Sequence, residues 1–218
     1  MMPDVSGGLT AIVLAGGEDG PAAAPDAPGA FVVAADSGAA HALALGLAVD
    51  VVVGDFDSID PDDLELLEQR GARIERHPVV KDATDLELAL GTALEAGAGR
   101  IVVLGGALGR LDHLLGELLL LASDRLAHVE VDAQLGRAAV HVIRGTHVLA
   151  GVAGEIASLF AVHGPARGVT TEGLVYPLSG DALEPGSTLG VSNAFAAPAA
   201  RVTVEQGVVV AVRPDGRL

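Results

Sequence analysis

The chain has 218 residues, half of them hydrophobic but only 2% aromatic, so its core must be built from Val, Leu, Ile and Ala. Thirteen basic against 29 acidic residues give a formal charge of −16, which argues against the basic stripe of a nucleic-acid binder and serves solubility. With no cysteine, neither a disulfide framework nor a thiolate site is available.

This length fits one large domain or two modest ones. The opening MMPDVSGG has neither a basic region nor an apolar stretch, so no signal peptide is expected. No apolar run reaches the length of a membrane span, and a cytoplasmic protein is the expectation.

Thr10–Leu14 reads as a short strand ending in Ala15-Gly16-Gly17. A glycine pair there suits close approach of backbone to a ligand, although alone it is a weak signal. Glu18–Gly29 reads as a loop, and Pro21, Pro25 and Pro28 stand where a dinucleotide fingerprint needs a helix. Phe31–Ala35 is a second strand, ending in Asp36-Ser37-Gly38, with Ser37 placed to cap a helix over Ala39–Leu47. A third strand, Val49–Gly54, runs into Asp55-Phe56-Asp57-Ser58. Two readings stand at that point. Ser58 before Ile-Asp-Pro-Asp-Asp suits a helix cap, whereas carboxylates two apart on extended backbone face one point and can hold a divalent cation beside phosphates. Two aspartates exceed what a cap needs.

Pro61–Arg70 is an amphipathic helix with a solvated acidic face, and Arg73–His77 a fourth strand. Lys81-Asp82-Ala83-Thr84-Asp85 then leads into a helix over Leu86–Ala96, with Thr84 or Asp85 as its cap. Arg100–Leu104 is a fifth strand, followed by Gly105-Gly106-Ala107-Leu108-Gly109-Arg110 and an apolar helix, Leu111–Leu121. A glycine-rich turn opening a helix offers backbone N–H groups to phosphate, and Arg110 adds a fork of donors. His113 reads either as a site residue or as a core histidine beside Leu114 and Leu115. His128–Ala133 is a sixth, short strand.

From about Gly136 helical periodicity disappears. Short β-branched runs alternate with Gly, Pro and Ser over Ala139–Ile143, Ile156–Val162, Val169–Thr171, Ser187–Val191, Arg201–Val204 and Val208–Val212. This spacing predicts a sandwich or barrel of about 80 residues. The expected division is an α/β domain over 1–135 with a parallel sheet, followed by an all-β domain over 136–218.

Asp36, Asp55/Asp57, Lys81–Asp85 and Gly105–Arg110 each follow a different strand. In open α/β sheets the ligand site lies at the carboxyl ends of the strands, so one shared site is expected. Aspartates, backbone N–H groups, a lysine and an arginine make a phosphoryl-transfer inventory, and no Walker A motif is present.

The motifs ADSGA (35–39), GDFDS (54–58), KDATDLELAL (81–90) and GALGRLDH (106–113) resemble those of the thiamine pyrophosphokinase family. SLF (158–160), TTEGLVYPL (170–178) and VSNAF (191–195) are similar to that family's second domain. The resemblance implies transfer of a pyrophosphoryl group from ATP to the hydroxyl of thiamine, giving thiamine diphosphate and AMP. It implies a Rossmann-like domain with helices on both faces followed by a β-sandwich, and a homodimer with thiamine at the subunit interface. Asp55, Asp57 and Asp85 match its magnesium-binding aspartates, and they are the expected catalytic set. Asp36, Lys81, Thr84, Arg110 and Asp112 match its nucleotide and phosphate positions. Gly16, Gly17, Ser37, Asp82, Gly105, Gly109 and His113 join that set from their places in the turns. Ser192 and Asn193 match the segment that closes over thiamine. With no Trp, Phe195 and Tyr176 are the aromatics left to stack on it. Rival readings are a related diphosphokinase acting on a pterin alcohol and a non-catalytic nucleotide-binding protein.

Overall fold

The computed structural model describes residues 8–218. Residues 1–7, on which most of the signal-peptide expectation rests, lie outside that description. The chain forms two compact units. The first runs to Leu114 and takes up His128–Gly136; the second holds Leu115–Ala127 and Arg137–Leu218.

In the first unit, strand β1 (Leu9–Leu14) and β2 (Phe31–Ala35) precede helix α1 (Gly38–Ala44). Then come β3 (Val51–Gly54), α2 (Pro61–Gln69), β4 (Arg73–Arg76), α3 (Asp85–Glu95), β5 (Ala98–Gly105), α4 (Leu111–Leu121), of which only Leu111–Leu114 belongs to this unit, and β6 (Glu130–Leu135). All six strands are parallel, in the order β4-β3-β2-β1-β5-β6. The interior strands are apolar on both faces, as a sheet covered on both sides requires. Even-numbered residues Ile12, Leu14, Val32, Ala34, Val52 and Val102 share one cluster with Ala39 and Ala42 of α1 and Leu67 of α2. Odd-numbered Val13, Val33, Val53 and Val103 are equally buried and point the other way. Helix α3 packs along β1, β2, β3 and β5, and its buried residues lie outside that cluster, so helices cover both faces.

Helix α2 corrects one expectation. Its cap is Asp60, whose carboxylate accepts from the N–H of Asp62 with Pro61 at the first helical position. Ser58 instead donates to Asp57 Oδ1 at 2.7 Å. Ser37 occupies the N-cap position of α1 but makes no side-chain capping bond. Thr84 does cap α3, accepting from Glu87 N–H, which leaves the Asp85 carboxylate free for the site.

The second unit has two antiparallel sheets. Strands β7 (Ala138–Ile143), β8 (Thr146–Ala150), β9 (Ile156–Ala161), β10 (Ala166–Glu172), β11 (Asp181–Leu183), β12 (Asn193–Ala194), β13 (Ala199–Thr203) and β14 (Val209–Arg213) pair as β12-β9-β14-β7 and β11-β10-β13-β8. Leu159, Val209 and Ile143 of one sheet meet Val169, Val202 and Leu149 of the other in a single core. Alternating burial along β10 and β13 marks one face inward and one to water. The strand expected over Ser187–Val191 is absent. Pro185 and Gly186 begin a turn there, Ser187 Oγ accepts from Leu189 N–H, and Gly190 takes a positive φ of 96°.

Candidate phosphate and metal site

The carboxyl ends of β1, β2, β3 and β5 bring the expected residues to one edge. Asp36 follows β2 in a left-handed conformation, φ 44°, tied by its N–H to the Val53 carbonyl at 2.9 Å. Gly54 ends β3 against it, and a Cβ there would lie 3.1 Å from Asp36 Cβ and 3.2 Å from Asp85 Oδ1. Phe56 also takes a positive φ, 64°, which is strained for an aromatic residue. Arg76 stacks over the Phe56 ring at 4.6 Å and donates to the Asp55 carbonyl at 3.2 Å, holding the loop in place.

Asp36, Asp55 and Asp57 form a cluster in which one carboxylate oxygen from each lies within 4.8 Å of the others. Asp36 is 8% exposed, and its Oδ1 has no hydrogen-bond partner. Burial raises its pKa, with the charges of Asp85, Asp57 and Asp55 adding to the effect against a hydrogen bond from the Ser37 backbone. Three convergent hard oxygen donors, one of them buried and unsatisfied, fit a divalent cation.

Lys81 lies beside this cluster. It donates to Asp55 Oδ2 at 2.6 Å and ion-pairs with Asp85 Oδ1 at 3.0 Å. Beyond this ion pair, no other group among the described residues satisfies Asp85 Oδ1. Burial works to lower the Lys81 pKa, but Asp55 and Asp85 outweigh it and raise the net value. The same Lys81 hydrogen bond holds the Asp55 carboxyl below its usual value. The sequence reading put Asp85 among the metal ligands and Asp36 among the nucleotide contacts. Within the described residues the three-carboxylate cluster contains Asp36, and Asp85 pairs with the lysine.

The glycine turns behave differently from expectation. Gly106 N–H donates to the Gly16 carbonyl at 2.9 Å, and Ala107 and Leu108 N–H both donate to Asp19 Oδ1, at 2.7 and 2.6 Å. The N–H groups of Gly106, Ala107 and Leu108, three of those expected to face phosphate, are therefore already satisfied within the protein. Sequence reasoning missed Asp19 because it lies in the proline-rich loop, 88 residues from its partner Ala107. Gly16 and Gly17 serve packing: a Cβ would lie 2.5 Å from Ser37 Oγ at Gly16 and 2.5 Å from Gly106 Cα at Gly17. Arg110 and Asp112 pair with each other at 2.6 Å, both exposed. Arg110 holds the Asp112 pKa down to about 2. His113 is exposed, so the core reading of that residue fails; Asp82 is exposed as well.

In the second unit Asn193 is buried at 3% and clamps Tyr176, accepting from its N–H at 3.0 Å and donating to its carbonyl at 2.7 Å. Tyr176 is 67% exposed. Phe195 is core, 1% exposed and packed so tightly under Gly151 that a Cβ there would meet its ring at 2.6 Å. Stacking of a ligand on Phe195 is therefore corrected. Ser192 is exposed at φ 56°, its N–H bonded to Ser158 Oγ.

A carboxylate cluster and a lysine at the carboxyl edge of a parallel sheet supply the groups that phosphoryl transfer uses. Residues 28–131 match the family model described as thiamin pyrophosphokinase, catalytic domain, and residues 141–209 the one described as thiamin pyrophosphokinase, vitamin B1 binding domain. The chain belongs to the thiamin pyrophosphokinase family. The thiamine pyrophosphokinase of Bacillus subtilis (strain 168) is 26% identical over 191 residues, covering 83% of this chain and 86% of its own. The crystal structure of a Bacillus subtilis thiamine pyrophosphokinase matches the fold with a TM-score of 0.80 at 24% identity, over 94% of this chain and 98% of its own. That of a Geobacillus thermodenitrificans thiamin pyrophosphokinase matches with a TM-score of 0.75 at 29% identity, over 94% and 96%.

Proposed function

We propose that this chain is a cytoplasmic, magnesium-dependent enzyme that transfers the pyrophosphoryl group of ATP to the hydroxyl of thiamine, releasing thiamine diphosphate and AMP. The observation that carries the reading is the Asp36–Asp55–Asp57 cluster, with its buried unpartnered oxygen, beside Lys81 in a chain of this family. The topological switch between β1 and β5 supports a Rossmann-like ATP-binding domain over 1–135, with thiamine bound by 136–218.

The thiamine oxygen attacks the β-phosphorus, the bond from that phosphorus to the α–β bridging oxygen breaks with its electron pair leaving on AMP, and the hydroxyl proton is released to solvent. Asp36, Asp55 and Asp57 would hold Mg²⁺, with Asp85 keeping Lys81 charged. Bound Mg²⁺ supplies neutralisation of phosphate oxygens, which the acidic site needs before it can accept ATP. Lys81 is a compact ammonium already placed between two carboxylates, able to turn a donor to an incoming phosphate. Arg110 can exchange Asp112 for a phosphate oxygen because the pair is exposed. Tyr176, held from its backbone by Asn193, offers an open ring for cation–π contact with the thiazolium, and Ser192 contributes a polar contact. The chain acts as a homodimer with thiamine at the subunit interface. That part is supported by α4, on which Leu111, Leu115 and Leu119 repeat at intervals of four and are 78%, 57% and 39% exposed.

The test is incubation of purified protein with ATP, MgCl2 and thiamine, with products separated by chromatography. Thiamine diphosphate and AMP are expected in equal amounts. Formation of ADP, or consumption of a pterin alcohol in place of thiamine, rejects the reading.

A further inference from the structure

The two glycine turns that precede the proline-rich loop and α4 are bonded to each other, and one side chain completes the joint. Asp19 Oδ1 accepts both the Ala107 and Leu108 N–H groups, at 2.7 and 2.6 Å. These are short bonds to a charged acceptor, of the kind that fix backbone geometry. Around them Gly106 N–H donates to the Gly16 carbonyl, Glu18 N–H approaches the Leu108 carbonyl at 3.4 Å, and Gly136 N–H donates to the Gly105 carbonyl. The glycines allow backbones to touch here, since a Cβ at Gly106 would lie 2.6 Å from the Gly17 carbonyl carbon. On the other side of the loop, a Cβ at Gly20 would meet the His41 ring at 2.7 Å, and His41 Nδ1 lies 3.0 Å from the Ala15 carbonyl. The joint thus ties the ends of β1, β5 and β6 together immediately before Arg110 and α4.

We infer that Asp19 is a positioning residue for the nucleotide half of the reaction: its carboxylate occupies the Ala107 and Leu108 N–H groups and fixes the backbone from which Arg110 departs. This rests on the ATP-dependent reading above. Positioning and simple electrostatics act on ATP binding with opposite signs. The protein carries a charge of −16 and ATP is an anion, so removing an aspartate near the phosphate edge lowers the KM for ATP if charge alone matters. If Asp19 positions the turn, removing its acceptor oxygens has the opposite effect.

Asp19→Ala is expected to raise the KM for ATP about tenfold while leaving the KM for thiamine unchanged, because a misplaced binding group is felt by the substrate it serves. Asp19→Asn keeps an amide oxygen able to accept from both N–H groups and loses the charge; it is expected to hold the KM for ATP at or below the wild-type value. Melting temperatures of both variants are measured alongside. An unchanged or lowered KM for ATP in Asp19→Ala overturns the inference. So does loss in Asp19→Asn equal to that in Asp19→Ala, or a parallel rise in both KM values with a collapse of the melting temperature. A wild-type protein that forms no AMP with thiamine rejects the proposed function; Asp19 is then tested by calorimetric binding of Mg·ATP alone, where Asp19→Ala must weaken binding and Asp19→Asn must not.

Discussion

Asp36, expected from its strand-end position as a nucleotide contact, stands in the structure beside Asp55 and Asp57. A buried aspartate with a positive φ and an unpartnered oxygen costs stability through both backbone strain and desolvation. The cost is offset where a cation completes the cluster. Asp57, by contrast, is exposed and hydrogen-bonded to Ser58. Asp57→Asn is therefore expected to change folding stability by no more than about 0.5 kcal/mol. Turnover should fall by about 100-fold, the scale of losing one preorganised electrostatic group. Chemical denaturation and initial-rate assays check the two halves, and near-normal turnover removes Asp57 from the site.

Glu117, on the leucine-rich α4, gives a pH prediction of its own. Burial pushes its carboxyl up to about 7 from 4.5. Below the unfolded value both states hold the proton and nothing is lost. Between the two values the unfolded chain ionises first, so folding stability falls as pH rises toward neutrality. Glu117→Gln removes the ionisation and is expected to stabilise the protein by about 1–2 kcal/mol at pH 8, discounted for partial exposure, with little of that gain at pH 4. Urea denaturation at the two pH values measures it, and an equal effect at both sinks the idea.

Among the elements, α2 and the 105–110 turn illustrate local and non-local control. Asp60 caps α2 through a contact two residues away, so Asp60→Ala is expected to cost about 1 kcal/mol and Ser58→Ala much less, as read by thermal melting. The order reverses if Ser58 is the effective cap. Both residues are visible in the sequence, and the choice between them turned on which one Pro61 follows, since proline suits the first helical position. The glycine turn is another matter. Its N–H groups were legible as a donor set, but their acceptor was not, because Asp19 reaches them only after β1 and β5 pair.

At the scale of the whole molecule, α4 carries seven leucines in eleven residues and buries only Leu121 among them. A helix of this length is marginal without packing. The proposed homodimer supplies cover, and a C2 interface built on one helix face is self-complementary. Leu115→Glu is expected to shift light-scattering mass from two chains to one, whereas a wild-type protein that is monomeric at assay concentration ends the proposal. Among the described residues no helix is long and apolar enough to cross a membrane.

The alternation of apolar runs with helical periods settled the parallel sheet, and the strand-end positions of Asp36, Asp55, Asp57, Lys81 and Asp85 placed them on its carboxyl edge. Those features are local, since a strand's direction and its terminal residues are written in adjacent positions. The tertiary structure decided which carboxylates converge, that Lys81 divides Asp55 from Asp85, that Asp19 fills the glycine turn and that Phe195 is core. Each depends on which strand ends become neighbours and how far side chains reach across them. Residues separated by tens of positions in the chain have no shared local signal for such contacts.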